Sequence, residues 1–181
     1  VRSSPLDSNF VVGDSRVTVL PDGDYDVRAS AREENGARAR ISVNLRVHPA
    51  PYAYFPGVSM GSGGFVSGYT VPALRAAASG TLCVDASCVQ LTGAQSYHDH
   101  NWGVWRGVTW DWGASRAGQY TFLYGRVYPG DTAASIPPLL VYLVDSLGFR
   151  AVFRPKIISS VDGRTIKIGP TLDREEGGRG G

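Results

Sequence analysis

The sequence predicts an all-β protein built from short antiparallel strands. Short runs rich in Val, Ile, Tyr and Thr recur along the 181 residues, and turn-type dipeptides separate them. Glycine and proline are abundant, with 23 and 11 residues, as expected of a chain that turns often. About ten to fourteen such runs at this spacing predict an antiparallel barrel or sandwich with short hairpins and little helix.

The first part of the chain is predicted to form hairpins. The runs NFVV and SRVTVL flank Gly13-Asp14, and two longer runs flank Asn35-Gly36, a pair suited to the positive φ angles of a type I′ turn. Residues 41–47 alternate strictly between apolar and polar side chains, which is typical of a half-buried strand. The apolar set is Ile41, Val43, Leu45 and Val47, and the polar set is Ser42, Asn44 and Arg46.

The later segments continue this pattern. Those with strand composition are residues 81–91, 118–128, 138–154 and 156–169, the last with Asp162-Gly163 at its turn. Residues 72–79 (PALRAAAS) alone have helical composition, but the segment is too short and too weakly capped to predict a helix. Loops are predicted at residues 48–64 and 128–138, and a disordered tail at residues 173–181.

Charge and hydropathy indicate no particular macromolecular partner. The net charge is +2, from 18 basic and 16 acidic residues, and the basic residues are scattered, so neither a nucleic-acid stripe nor a polybasic membrane patch is predicted. No apolar run approaches the roughly 20 residues that span a bilayer, and the start lacks the apolar core of a signal peptide. We therefore expect a soluble protein without an integral membrane segment. Peripheral membrane contact, a cytoplasmic or exported location and the oligomeric state are left open.

The two cysteines bracket the sequence Val-Asp-Ala-Ser. If Asp85-Ala86 form a two-residue turn, Cys83 faces Cys88 at a non-hydrogen-bonded rung, where Cα atoms lie about 4.5 Å apart and within reach of a disulfide. The same residues also allow two reduced cysteines on one face of a strand pair. Export to an oxidising compartment would favour the disulfide.

The densest set of polar and aromatic side chains is SYHDHNWGVW, at residues 96–105. Successive side chains of an extended strand project to opposite faces. One face then carries Tyr97, Asp99 and Asn101, and the other carries His98, His100 and Trp102. The segment therefore presents a carboxyl face and an imidazole face.

Three interpretations of this segment are open. A metal site would use the two imidazoles, but it needs a third ligand, and the remaining histidine is His48; we predict neither a metal nor another cofactor. An acid–base site would use Asp99, since burial in an apolar barrel raises a carboxyl pKa, with His98 or His100 as its partner. The third interpretation is a purely structural aromatic core, in which polar side chains satisfy backbone groups.

The middle of the chain resembles a known family. It contains Ser79-Gly80-Thr81-Leu82-Cys83-Val84, then a Tyr-x-Asp-x-Asn-x-Gly pattern from Tyr97 to Gly103, then Trp110 and Trp112. This order and spacing resemble the lipocalin-like family that includes carotenoid 1,2-hydratase (hydroxyneurosporene synthase) and the fungal Diels–Alderases of decalin biosynthesis.

The resemblance implies lipocalin-like antiparallel barrels that hold an apolar ligand. The first β unit would comprise residues 1–105, and the second, residues 106–172, would pack against it. Members of the family with both halves are longer, which leaves open that the first unit is truncated at its start. Asp99 would be the proton donor, with His98 and His100 as its catalytic partners. The substrate would contact Tyr97, Asn101, Trp102, Trp110, Trp112 and Tyr124.

Two functions follow from the resemblance. The first is an enzyme that binds an apolar polyene, terpenoid or polyketide in a β-barrel cavity and catalyses alkene hydration or cyclisation, as a hydratase or a Diels–Alderase-like cyclase does. The alternative is a non-catalytic carrier or binding module for the same class of hydrophobic small molecule.

Overall fold

The computed structural model describes residues 9–34, 38–62, 65–104, 109–128, 139–155, 158–161 and 165–168. The regular elements in these ranges are all β-strands, and one sheet is strongly curled, as in a half-barrel. The all-β, antiparallel prediction is therefore confirmed. The strands are β1 (Asn9–Val12), β2 (Ser15–Val19), β3 (Tyr25–Arg32), β4 (Arg40–Pro49), β5 (Phe55–Ser62), β6 (Phe65–Val84), β7 (Ser87–Val104), β8 (Thr109–Ala117), β9 (Tyr120–Tyr128), β10 (Leu140–Asp145), β11 (Gly148–Phe153), β12 (Ile158–Val161) and β13 (Thr165–Ile168).

The strands in the described ranges form three hydrogen-bonded sheets. The first has seven strands in the order β1-β2-β3-β4-β6-β5, and β7 also pairs with β6. The second has the order β11-β10-β9-β8, and β12 pairs with β13 in the third. Sequence neighbours mostly pair with each other, as short hairpins require.

The chain divides into two compact units. Unit 1 comprises Val1–Pro51 and Arg75–His98, and unit 2 comprises Tyr52–Leu74 and Asp99–Gly181. Both units are discontinuous in sequence because the long strands β6 and β7 contribute to each of them.

The best-packed apolar side chains belong to unit 2. Val71, Ala73 and Leu74 on β6 have no exposed surface, and Leu123 and Val144 are almost as buried. In unit 1 the buried apolar side chains among the described residues are Val47, Ala76 and Ala78. The apolar side chains of unit 1 are therefore only partly removed from water.

The predicted hairpin at Gly13-Asp14 is present, and of the two arrangements left open for Cys83 and Cys88 the structure has the turn with a disulfide. Gly13-Asp14 connect β1 to β2, and Gly13 has a φ of 55°, which suits glycine. Asp85-Ala86 connect β6 to β7, and a disulfide joins Cys83 to Cys88 with Cα atoms 4.1 Å apart. The Asp85 carboxylate also accepts a hydrogen bond from the Arg40 backbone N–H at 2.8 Å.

The prediction of a loop at residues 48–64 is wrong for much of that segment. Strand β4 continues to Pro49, and β5 pairs with β6 from Phe55 onward. The register shifts between Phe55 and Val58, so Pro56, which lacks an N–H, lies at a bulge where no ladder bond is needed. Phe55 is buried and its ring packs edge-on against Tyr142, so tertiary packing stabilises this strand.

Residues 72–79 also lie in a strand, the middle of β6, in spite of their helical composition. Tertiary pairing with β4 outweighs a weak local propensity here. The predicted turns at Asn35-Gly36 and Asp162-Gly163 and the tail at residues 173–181 lie outside the described residues, as does the predicted loop beyond Tyr128.

Candidate functional site

Residues 96–104 of the predicted cluster lie on β7, and the division between the two units falls among them. Tyr97 and His98 belong to unit 1, whereas Asp99, His100, Asn101 and Trp102 belong to unit 2.

In unit 1 the strand register places most of the apolar side chains on one face of the sheet. Val17 lies opposite Phe10 and Val27, and Val27 lies opposite Leu45. Tyr25 lies opposite Val19 and Val47, and Ile41 lies opposite Val84. We call this set the concave apolar face: Phe10, Val17, Val19, Tyr25, Val27, Ile41, Val43, Leu45, Val47, Val84 and His98.

The position of His98 shows that this face is concave. Its ring meets the Tyr25 ring edge-on, with centroids 5.2 Å apart. Strands β4 and β6 lie between β3 and β7, so the two residues would be about 14 Å apart in a flat sheet with its usual strand spacing. The rings meet because the sheet curls toward them. In unit 1, therefore, the imidazole face of β7 lines the concave side and Tyr97 projects away from it.

Much of the concave apolar face is open to solvent. The side chains of Phe10, Val19 and Ile41 are each 44% exposed and Val84 is 47% exposed. Tyr25 is half-buried, and its burial raises the pKa of the phenol above its usual value. The phenol is therefore protonated at neutral pH and can donate a hydrogen bond.

In unit 2, Trp102 and Trp112 lie on opposite faces of β6. A Cβ atom on Gly68 would come within 2.0 Å of the Trp102 indole, so Trp102 covers the Gly68 side of the strand. The next residue, Tyr69, points to the other side and accepts a hydrogen bond from Trp112 Nε1 at 2.7 Å. The predicted tryptophan cluster is thus divided between two surfaces.

The carboxyl face of β7 shares the Trp112 side of unit 2. The His100 ring stacks on Trp102, with centroids 5.3 Å apart, and Asp99 and Asn101 alternate with this pair along the strand. They therefore project to the side of the sheet that holds Tyr69 and Trp112. Asp99 is half-buried and Asn101 is exposed.

Two further residues that were predicted to contact the substrate, Trp110 and Tyr124, lie on β8 and β9. Trp110 shares the face of Trp112 and is 62% exposed. Tyr124 pairs with Gly113, and a Cβ on Gly113 would meet the Tyr124 ring at 2.5 Å. Because Gly113 alternates with Trp112, Tyr124 covers the opposite face of β8. Trp105 lies outside the described residues.

A carboxylate network in unit 1 was not predicted from the sequence. Asp24 is buried in the turn before β3 and accepts a hydrogen bond from Arg46 Nε at 2.6 Å. Its other oxygen lies 2.6 Å from His48 Nδ1, and Arg46 also binds Asp22. The hydrogen bond from Arg46, followed by that from His48, lowers the pKa of Asp24. Only the strand register brings these residues together, although the Pro-Asp-Gly-Asp turn sequence was a local signal.

A second network lies in unit 2. Asp111 pairs with Arg126 across β8 and β9 and accepts hydrogen bonds from Arg126 Nη2 at 2.6 Å and from the Tyr128 hydroxyl at 2.7 Å. The Tyr128 bond and then the Arg126 bonds lower the pKa of Asp111. The Arg150 guanidinium lowers the pKa of Asp145 in the same way. These carboxyl groups are ionised at neutral pH and are poor proton donors.

The Asp24 network predicts acid-dependent stability. The folded pKa of Asp24 lies below the unfolded value of about 3.9, so the network contributes fully above that value and its contribution is lost as the pH falls through the folded pKa. We expect Asp24→Asn to lower the melting temperature at pH 7 and to have a smaller effect at pH 3. Circular dichroism melts of both proteins measure this difference. Asp14→Asn, at an exposed turn, is the control, and a difference that stays constant with pH would contradict the prediction.

Comparison of the chain with protein-family models, curated proteins and solved structures finds no match. Among the described residues, no three His, Cys, Asp or Glu side chains are grouped so that they could hold a metal ion. The described part of the chain also contains no helix with the length and apolar character needed to cross a membrane.

Proposed function

We propose that the protein binds an apolar small molecule of the polyene, terpenoid or polyketide class on the concave apolar face of unit 1. The observation that carries this proposal is the solvent exposure of Phe10, Val19, Ile41 and Val84 on a face that curls around them. Each Å² of apolar surface covered by a ligand gains about 25 cal/mol, and contiguous exposed apolar surface commonly marks a binding site.

Tyr25 and His98 give this apolar surface a polar anchor. Their rings are in contact on the concave side, and a phenol beside an imidazole can hydrogen-bond a hydroxyl or carbonyl at one end of a ligand. Apolar walls with few polar groups are typical of small-molecule sites. The resemblance to the lipocalin-like family supports the same class of ligand.

Retinol, an uncharged fluorescent polyene, is a suitable probe. We expect Ile41→Glu to weaken retinol binding about tenfold or more, because the new carboxylate must be desolvated beneath the ligand. Asn44→Glu is the matched control, since it adds the same charge to the same strand on the opposite face. Fluorescence titration gives both affinities. Equal affinities in the two variants would exclude the concave apolar face as the site.

The second candidate function is catalysis of alkene hydration or cyclisation in unit 2. It is favoured by the half-buried Asp99 on the side of the sheet that holds Tyr69 and Trp112, since indole faces stabilise a developing cation. An enzyme would return the polyene with one added water or as a cyclised isomer, whereas a binding module would return it unchanged. Mass spectrometry and chromatography of the recovered polyene distinguish the two, and turnover that survives Asp99→Asn would exclude Asp99 as the acid.

A further inference from the structure

Exposed arginines gather on the face of unit 1 opposite the concave apolar face. Arg16 on β2 lies directly opposite Arg28 on β3, and Arg32 on β3 lies directly opposite Arg40 on β4. All four side chains are exposed. We call the set Arg16, Arg28, Ser30, Arg32, Arg40, Ser42 and Asn44 the arginine face.

These opposed pairs are electrostatically unfavourable in the chain alone. Like charges directly across neighbouring strands destabilise a sheet. Arg28 reaches Asp26 at 3.4 Å, in a pair too exposed to contribute much. Among the described residues, no carboxylate lies within ion-pair distance of Arg16, Arg32 or Arg40. The nearby carboxylates of Asp22 and Asp24 are bound by Arg46.

Hydrogen-bonding side chains separate the two arginine pairs. Ser30 lies opposite Ser42 between them, and Asn44 lies opposite Arg28. The pairs are four residues apart along β3, which corresponds to about 13 Å. The arginine face thus offers positive charge at two places with hydroxyl and amide groups between them, an arrangement that suits an extended ligand bearing repeated anionic groups and hydroxyls.

We propose that the arginine face binds an acidic polysaccharide, through sulfate or carboxylate groups held by the arginine pairs. Single-stranded nucleic acid is disfavoured because β2, β3 and β4 place no Phe, Tyr or Trp side chain on this face for base stacking. This face is convex, since the opposite face is concave, so a planar lipid surface would contact it over only part of its width. The disulfide lies beside the arginine face, with Cys83 opposite Ser42. It fits an oxidising, extracellular setting in which such polymers occur.

Heparin serves as the probe, with binding of a labelled oligosaccharide measured over a range of salt concentrations. We expect Arg16→Gln and Arg32→Gln each to weaken binding about three- to tenfold, because each removes a charge-assisted contact, and to flatten the salt dependence. Arg154→Gln, which removes the same charge from an exposed position in unit 2, should change the affinity less than about twofold. Circular dichroism checks that each variant is folded.

Three results would overturn the proposal. The first is the absence of heparin binding at low salt by the unsubstituted protein. The second is an equal loss of affinity in Arg154→Gln, which would assign the binding to net charge. The third is tighter binding to a single-stranded oligonucleotide or to phosphatidylserine vesicles than to heparin. None of these measurements depends on retinol binding.

Discussion

Replacing Gly103 with Ala is expected to lower the free energy of unfolding by about 2–4 kcal/mol. Gly103 has a φ of 150°, in the region that favours glycine, and a Cβ there would lie 2.0 Å from the Val66 carbonyl oxygen and 3.0 Å from Ser67 Cα. These are backbone atoms of the neighbouring strand β6, so no side-chain rotation relieves the clash. The alanine must therefore separate β6 from β7 or distort both strands.

Gly125→Ala is the matched control within unit 2. Its φ lies outside the left-handed region, and a Cβ at this position meets no atom within 4 Å. We expect a change within about 0.5 kcal/mol. Urea unfolding followed by tryptophan fluorescence measures both variants, since all four tryptophans lie within residues 102–112. Similar stabilities of the two variants would show that the close approach of β6 and β7 at Gly103 is not required.

This prediction gives the last residue of the Tyr-x-Asp-x-Asn-x-Gly pattern a structural role. Gly103 allows the two strands to approach closely, and this role does not depend on any chemistry at Asp99. A glycine in such a pattern does not by itself indicate a ligand. The pattern therefore combines a backbone requirement at Gly103 with the side chains of Tyr97, Asp99 and Asn101, which project to the carboxyl face of β7.

Replacing Leu74 with Ala is expected to lower the free energy of unfolding by about 2–5 kcal/mol. Leu74 has no exposed surface and lies in the best-packed part of unit 2, next to Ala73 on β6. The substitution removes buried methyl and methylene groups and leaves a cavity. The hydrogen bond from the backbone N–H of residue 74 to the Ala53 carbonyl is retained. The lost free energy of unfolding therefore measures side-chain packing.

Leu147→Ala is the control for this substitution. It deletes the same atoms in unit 2, but Leu147 is 77% exposed, and we expect a change of less than about 0.5 kcal/mol. The same urea titration compares the two leucines. Equal losses would indicate that burial on β6 does not stabilise unit 2.

The candidate site was predicted in part from local sequence. Alternation along residues 97–102 correctly separates a carboxyl face from an imidazole face, because side chains on any extended strand alternate. The sequence could not tell which face lines a curved surface, because curvature depends on how β3, β4, β6 and β7 are arranged. The structure places His98 on the concave side of unit 1 and Asp99 on the Trp112 side of unit 2.

The cationic surface of unit 1 likewise could not be predicted from the sequence. The basic residues are scattered along the sequence, and no cationic surface was predicted from them. Antiparallel register sets Arg16 against Arg28 and Arg32 against Arg40, so residues on different strands become neighbours. The Asp24–Arg46 ion pair, which also joins distant residues, was missed for the same reason.

The sequence by itself determined the all-β class, the hairpin at Gly13-Asp14 and the two-faced character of β7, and it allowed a turn at Asp85-Ala86. These features depend on turn geometry and side-chain alternation, which act over a few residues. Tertiary structure decided that residues 55–62 and 72–79 form strands and which residues share a face. Those outcomes depend on pairing and packing between distant segments, whose free energies exceed local propensity and cannot be read from a short stretch of chain.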